Sequence, residues 1–278
     1  MKILGVGADR ITRQEALDEV GLFLRSNAGH HVVTLNSEMA VRAERDAHLR
    51  AIVNGADLVT ADGMGILRAA SYLGKRRGNP WGDFLRLLAA TVSAILTPGR
   101  IQDVLPEKIS GVDLVRDICA HEMMAGRRVY LLGAREGIAA RAASALKAGC
   151  PRIEIAGAEA GFFGPTAPGE DAALVGRINA ARAQVLFVAL GVPKQEKWIH
   201  AHLAEMPGVR LAMGVGGSYD FMTGKVRRAP FLIRFIGLEW LWRLMQKPDP
   251  DRPRRWKRIW RAVFVFPYKI LLNKSSDH

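Results

Sequence analysis

Residues 184–199 read QVLFVALGVPKQEKWI, and this stretch indicates the class of fold. Its first seven residues are almost wholly apolar, as in strands that are buried on both faces. Gly191 and Pro193 then interrupt the strand, and a helical pattern follows. A doubly buried strand that leads directly into a helix is typical of a parallel sheet with helices on both sides.

The same alternation extends along the chain in both directions. Short apolar strands are predicted at 30–36, 57–61, 127–132, 152–156, 184–190 and 209–215. Helices are predicted between them at 38–54, 112–125, 138–148, 170–181 and 195–204. We therefore predict an α/β fold with a parallel sheet covered by helices on both faces.

Polar or glycine-rich residues follow the carboxyl ends of five predicted strands. In parallel sheets, ligands bind in the crevice beyond these ends. The residues that would form one polar rim there are Thr34, Asn36, Asp62, Gly133, 191–195 and 216–220.

Asp62 directly follows the predicted strand 57–61 and precedes Gly63. A carboxylate at a strand end is well placed as a general base. Asp-Gly is also a common turn pair, so an Asx-turn is an equally good interpretation. The residues alone leave both interpretations open.

Two glycine-containing loops connect predicted strands to helices. Gly133 begins the first, where backbone N–H groups could approach a phosphate, although a plain turn explains the glycine as well. In the second, Lys194 and Gln195 open a helix and could bind sugar hydroxyls or phosphate. A solvated helix start is the alternative for that loop.

The third loop has the sequence GVGGSYD (214–220). Gly216 and Gly217 would allow a ligand to approach the backbone closely. Asp220 could then hold a pair of ribose hydroxyls, or it could serve as the N-cap of the next helix.

The C-terminal residues 225–278 carry most of the positive charge. They contain 14 Lys and Arg against 4 Asp and Glu, a net +10 of the total +13. Residues 254–272 interleave basic and large apolar side chains, which predicts a basic amphipathic appendage. Such a segment meets anions, whether nucleic acid, anionic lipid or a substrate phosphate. We predict a core at 1–224 and an appendage at 225–278.

Several classes of protein are disfavoured. No apolar run reaches the ~18 residues of a membrane-spanning helix, and no signal-peptide pattern is found. Cys119 and Cys150 lack metal-site spacing, so we predict reduced core residues in a cytosolic protein. No GxGxxG fingerprint supports a nucleotide-sugar dehydrogenase or epimerase. No helix-turn-helix or RRM signature supports a nucleic-acid-binding protein.

Eight stretches together resemble the WecG/TagA/CpsF glycosyltransferase family, in the family's order and over most of the chain. The most specific are GVPKQEKWI, within INAARAQVLFVALGVPKQEKWI (178–199), and GVGGSYDFMTGKVRRAP (214–230). The others are TLNSEM (34–39), GADLVTADGMGI (55–66), PEKISGVDLV (106–115), YLLGAREGIAARAASALK (130–147), AGFFG (160–164) and GLEWLWRL (237–244).

The resemblance implies an inverting, metal-independent transferase with a Rossmann-like core and no cofactor. Known members add N-acetylmannosamine or its uronic acid to a GlcNAc-diphospho-polyprenol, so a UDP-sugar donor and a lipid-linked acceptor are the expected partners. The family's base falls on Asp62, and its other polar site residues fall on Thr34, Asn36 and Gln195. The expected nucleotide pocket includes Gly133, Phe162 and Asp220, and the arginines expected at the diphosphate are Arg243, Arg252 and Arg255.

Residues 78–104 form a longer segment than the family usually has at this place. This apolar segment could dock on lipid or line the acceptor site, or it could be an extra helix packed on the body. The basic tail suits an anionic membrane surface. We therefore expect a cytoplasmic enzyme on the inner face of the cell membrane, with no nucleic-acid partner; homo-oligomer formation stays open.

Overall fold

A six-stranded parallel sheet lies at the centre of the computed structural model, which describes residues 1–74, 104–161, 169–224, 229–230, 233, 242 and 259–272. An antiparallel hairpin, β1 (Lys2–Ile3) and β2 (Val6–Gly7), comes first. The sheet strands are β3 (His30–Leu35), β4 (Leu58–Ala61), β5 (Arg128–Gly133), β6 (Glu154–Glu159), β7 (Val185–Ala189) and β8 (Leu211–Gly214). Their order is β4-β3-β8-β7-β5-β6, and all neighbours are parallel, which confirms the predicted sheet.

Helices connect the strands and cover both faces of the sheet. They are α1 (Arg13–Arg25), α2 (Ser37–Arg45), α3 (Ala47–Asn54), α4 (Met64–Gly74), α5 (Gly111–Ala120), α6 (Ile138–Gly149), α7 (Glu170–Ala180), α8 (Lys194–His202), α9 (Ser218–Met222) and α10 (Phe266–Leu272). Helices α1, α5, α6 and α9 pack on one face. Helices α2, α3, α4, α7, α8 and α10 pack on the other.

Alternate residues of each strand enter opposite cores. In β3, Val32 belongs to the core under α1 and α5, whereas Val33 and Leu35 belong to the core under α2 and α4. In β7, Phe187 faces the first side and Leu186 faces α8 on the second. Because both faces are apolar, the strands read as continuous hydrophobic runs, which made them visible in the sequence.

The predicted helix at 38–54 is wrong in one respect, because the chain forms two helices there. Asp46 is the C-cap of α2 and the N-cap of α3, with extended backbone dihedrals. Its carboxylate accepts from the backbone N–H of Leu49 at 3.0 Å and from Lys197 Nζ at 2.6 Å. An aspartate that caps a new helix start competes with continuation of the old helix, and hydrophobic spacing alone does not reveal this.

Other boundaries also differ from the predictions. The helix expected at 112–125 ends at Ala120 and is followed by a 3₁₀ turn, Glu122–Met124. The strand expected at 152–156 runs instead over Glu154–Glu159. Cys119 and Cys150 are buried and form no disulfide, as predicted.

The C-terminal residues 259–272 form a helical segment with two different sides. Ile259, Phe266 and Ile270 are at most 9% exposed, and the last two belong to the core shared with α2 and α4. Lys269 forms an ion pair with Glu44 of α2. The division into a core at 1–224 and an appendage at 225–278 stays a prediction. Of the inserted segment 78–104, only residue 104 lies within the described residues.

Candidate active site

The predicted polar rim lies at one edge of the sheet, because all six strands are parallel. Strands β5 and β7 are neighbours, yet the chain leaves β5 towards β6 on one side and leaves β7 towards β8 on the other. Ligands of open α/β sheets bind at such a reversal of strand order. The carboxyl ends of β3, β4, β5, β7 and β8 therefore define the candidate site.

Asp62 stands at the end of β4, as the sequence predicted. Its backbone N–H donates to the carbonyl of Leu35 at 2.8 Å, so the β3–β4 pairing continues one residue beyond the strand. Gly63 follows with φ +103° and turns the chain into α4. The side chain of Asp62 is half-buried. Its position beside the end of β3 is compatible with a general base, a role that stays a prediction.

Asn36 and Thr34 at the end of β3 have defined contacts. Asn36 is the N-cap of α2, with Oδ1 accepting from the N–H of Met39 at 3.0 Å. Thr34 is 6% exposed, and its hydroxyl donates to the carbonyl of Gly214 at 3.4 Å. Thr34 thus ties β3 to β8 just below the rim. The catalytic roles expected for both residues stay predictions.

Gln195 joins two of the glycine loops. Its Oε1 accepts from the backbone N–H of Gly191 at 3.1 Å and from that of Gly216 at 3.0 Å. The side chain is only 2% exposed. Two backbone amides that converge on one buried acceptor join the loops after β7 and β8. The sequence identified the residue but not this contact.

Glu196 lies behind Gln195 and is 1% exposed. Its Oε1 accepts from Nε2 of Gln195 at 2.7 Å, whereas Oε2 has no partner among the described residues. Burial is the main cause that raises the pKa of Glu196 to about 7; nearby Glu38 raises it further, and Gln195 and Arg42 lower it.

The raised pKa of Glu196 predicts a pH dependence of stability. A carboxyl group whose pKa is raised in the folded state makes its full stabilising contribution below its ordinary pKa of 4.5. That contribution is lost as pH rises through the folded-state pKa of about 7. Relative to Glu196→Gln, which does not titrate, the wild-type free energy of unfolding should fall by up to about 3 kcal/mol over this range. Urea unfolding at several pH values measures the difference; a constant difference from pH 4 to 8 would contradict the assignment.

Gly133 is required by the close approach of β5 and β7. Its φ is +112°, and a Cβ there would lie 2.6–2.8 Å from the backbone of Ala189. A Cβ on Gly161 would in turn lie 2.7 Å from the Cα of Gly133. Packing therefore explains this glycine without a ligand, and its contact with phosphate stays a prediction.

The remaining predicted residues are placed as follows. Lys194 is exposed at the first position of α8. Gly216 has φ +48°, and Gly217 is the N-cap of α9. Asp220 is half-buried in the first turn of α9, so the N-cap alternative for it is wrong. The residues that lie outside the described part of the chain are Phe162, Arg243, Arg252 and Arg255.

Lys108 was missed as a candidate residue. The next residue, Ile109, is buried and donates its N–H to the carbonyl of Ala61 at 2.9 Å, directly before Asp62. Lys108 therefore lies at the end of β4, as a half-buried cation close in the chain to this contact. The sequence signal for Lys108 is its place in PEKISG (106–111), within one of the stretches that resemble the family.

No group of three or more His, Cys, Asp and Glu that could hold a metal ion occurs in the part of the chain that the structure describes. Within the same residues, no helix is both long and apolar enough to cross a bilayer.

Comparison with known proteins bears on this site. The family model described as "Glycosyl transferase WecG/TagA/CpsF family" matches residues 1–92 and 91–278. An N-acetylglucosaminyldiphosphoundecaprenol N-acetyl-beta-D-mannosaminyltransferase from Bacillus spizizenii is 30% identical over 238 residues, which cover 85% of this chain and 77% of the relative. Proteins of the same name from Staphylococcus aureus strains MW2 and MRSA252 are 27% identical over 278 residues, covering 99% of this chain and 93% of each relative. Since the family model spans the chain and the family-like motifs gather at one edge of a parallel sheet, this chain belongs to the WecG/TagA/CpsF family and is a glycosyltransferase.

Proposed function

We propose that the enzyme transfers an N-acetylmannosamine-type sugar from a UDP-sugar to a polyprenyl-diphosphate-linked sugar, in the synthesis of a surface polysaccharide or exopolysaccharide. The names of the relatives support the transferred sugar and the lipid-linked acceptor. The observation that carries the proposal is the rim itself, where Asp62 and the two loops joined by Gln195 lie at the same edge of the sheet.

In the proposed mechanism, the carboxylate of Asp62 takes the proton of the acceptor hydroxyl. The acceptor oxygen forms a bond to the anomeric carbon of the donor, and the bond from that carbon to the β-phosphate oxygen breaks. UDP leaves from the opposite side, so the anomeric configuration inverts.

Charge that develops on the departing UDP would be stabilised by donors at the rim. Candidates are backbone N–H groups of the glycine loops together with the cations Lys108 and Lys194. Arg243, Arg252 and Arg255 are proposed to add positive charge at the diphosphate, in place of a metal ion.

A screen for UDP release tests this function. The full chain is incubated with a short-chain GlcNAc-diphospholipid and with UDP-ManNAc, UDP-ManNAcA or UDP-GlcNAc in turn. We expect acceptor-dependent UDP release with one of the two mannosamine donors, unchanged by a metal chelator. Release that needs no acceptor, or turnover with UDP-GlcNAc alone, would contradict the proposed reaction.

The C-terminal helix is proposed to attach the enzyme to an anionic membrane surface on the cytoplasmic side. Four large side chains spaced four residues apart form an exposed row, which we call the apolar stripe: Trp260, Phe264, Tyr268 and Leu272, each 50–63% exposed. Residues four apart lie close to one side of a helix. Here Arg261–Val265 is π-helical and α10 follows it, and the rings of Trp260 and Phe264 are in contact, with centroids 4.5 Å apart. Basic groups interleaved in the sequence, such as Arg261, would add attraction to anionic lipid headgroups.

Replacing Trp260 and Phe264 of the apolar stripe together with Asp should weaken binding to anionic vesicles by at least about tenfold, since each buried apolar side chain contributes about 1.5–3 kcal/mol. Vesicle sedimentation measures the partition coefficient. Leu22→Asp is the matched control, because Leu22 is 54% exposed but lies on α1. Equal partition of the double variant and wild type would contradict membrane attachment through this stripe.

A further inference from the structure

One side-chain oxygen joins the loops after β7 and β8, beyond the last backbone contact between the strands, from the N–H of Val215 to the carbonyl of Val188 at 2.8 Å. Oε1 of Gln195 receives the N–H groups of Gly191 and Gly216, which lie 25 residues apart in the chain. The N–H of Gln195 itself donates to the carbonyl of Gly191 at 3.1 Å. If the carboxamide were rotated by half a turn, its NH₂ group would face these two N–H donors. The two N–H groups of that NH₂ and the two backbone N–H groups would then face one another without an acceptor between them, which is unfavourable.

The acceptor on the other side of the carboxamide selects its orientation. Oε1 of Glu196 lies 2.7 Å from Nε2 of Gln195, and an acceptor in that place is incompatible with a rotated carboxamide. Either protonation state of Glu196 leaves an oxygen that can accept this hydrogen bond. The hydrogen bond from Nε2 of Gln195 can therefore form on both sides of neutral pH.

Strand β8 and helix α2 surround the Gln195–Glu196 pair. A Cβ on Gly214 would lie 2.5 Å from Nε2 of Gln195 and 3.0 Å from Oε1 of Glu196, so β8 packs directly against both side chains. The charged groups facing Glu196 are Glu38 and Arg42 of α2, which form an ion pair with each other. One titratable histidine of α8, His200, lies near the other end of the helix, where its neighbours are His31 and His48.

We propose that Glu196 is a positioning residue: it accepts from Nε2 of Gln195 and so holds Oε1 of Gln195 against the Gly191 and Gly216 amides. Its contribution to binding the UDP part of the donor rests on the proposed function. The effect of Glu196 on the Gly191 and Gly216 amides does not rest on the proposed function, because it follows from contacts within the chain. Glu196 acts through Gln195 and does not touch the substrate.

Amide hydrogen exchange of the full chain tests the proposal without substrate. Glu196→Leu removes the acceptor, whereas Glu196→Gln keeps an oxygen that can accept from Gln195. We expect exchange at the Gly191 and Gly216 amides to be at least about tenfold faster in the Leu variant, the equivalent of about one lost hydrogen bond. The Gln variant should restore slow exchange at both amides.

Trp198→Phe is the matched control. It removes a different hydrogen bond of α8, from Trp198 Nε1 to Asp171 at 2.9 Å, and should leave the two glycine amides protected. Unchanged exchange in a folded Leu variant would overturn the proposal. So would exchange in the Gln variant as fast as in the Leu variant, because the acceptor oxygen would then have no role.

A second measurement uses the wild-type chain, in case the Leu variant fails to fold. The side-chain ¹⁵N resonance of Gln195 should shift with pH around 7, as its partner Glu196 titrates, and should not shift in Glu196→Gln. A Gln195 resonance that stays constant while the side-chain ¹³C resonance of Glu196 shows that Glu196 titrates would overturn the proposal.

Calorimetric titration with UDP then separates the proposal from the function. We expect the Kd for UDP to rise about tenfold in Glu196→Leu and to stay within about twofold of wild type in Glu196→Gln. If wild type binds no UDP, the proposed function fails, while the exchange result still decides the role of Glu196. If wild type binds UDP and Glu196→Leu binds equally well, the positioning role in donor binding is refuted.

Discussion

Asp62→Asn is expected to lower kcat by about 10²–10⁴-fold, the usual contribution of a general base. The Kd for UDP should change by less than about twofold, because the proposed role of the carboxylate is to receive the acceptor's proton. Asparagine keeps the size of the side chain and one oxygen, but it cannot take up the proton. The backbone contact that places residue 62, its N–H to the carbonyl of Leu35, does not depend on the side chain.

Asp57→Asn provides the matched control for this experiment. Asp57 immediately precedes β4 and Asp62 immediately follows it, so the two carboxylates lie at opposite ends of this strand. Asp57 accepts from the N–H of His31 at 2.8 Å, which an asparagine oxygen can also do. Only the Asp62 variant should lose turnover. A wild-type rate for Asp62→Asn, or UDP binding lost together with turnover, would refute the role as base.

The sheet could be predicted from the sequence because its signals are local. A strand such as β7 is apolar at consecutive positions, since both of its faces are covered, and a glycine marks where it ends. Parallel pairing then places all the carboxyl ends at one edge. For this reason the sequence alone predicts a common rim that includes Asp62, Gly133, Gln195 and Gly216.

The contacts that organise the rim could not be predicted, because they join distant parts of the chain. Thr34 donates to Gly214 across 180 residues, and Gln195 accepts from Gly216 across 21. A threonine in a strand and a glutamine in the first turn of a helix carry no local sign of these partners. The same applies to Glu196, whose side chain would be solvated in an isolated helix and is instead buried behind Gln195.

Gly133→Ala should lower the free energy of unfolding by about 3–5 kcal/mol, the combined cost of backbone strain and overpacking. Alanine is strained at φ +112°, and its Cβ would also lie within 2.8 Å of three backbone atoms of Ala189. Backbone atoms cannot rotate away, so β5 and β7 would have to separate. Their separation would strain the hydrogen bond from the N–H of Ala134 to the carbonyl of Ala189, which measures 2.9 Å.

Gly137→Ala separates the two causes of this loss. Gly137 has φ +73° and begins the next helix, but no atom lies within 4 Å of a Cβ placed there. Its replacement should therefore cost only the left-handed backbone strain, about 1–2 kcal/mol. Urea unfolding of both variants, followed by circular dichroism, gives the comparison. Equal losses of unfolding free energy in the two variants would contradict the close approach of β5 to β7. Packing would then not explain Gly133, and contact with a ligand would be the better explanation.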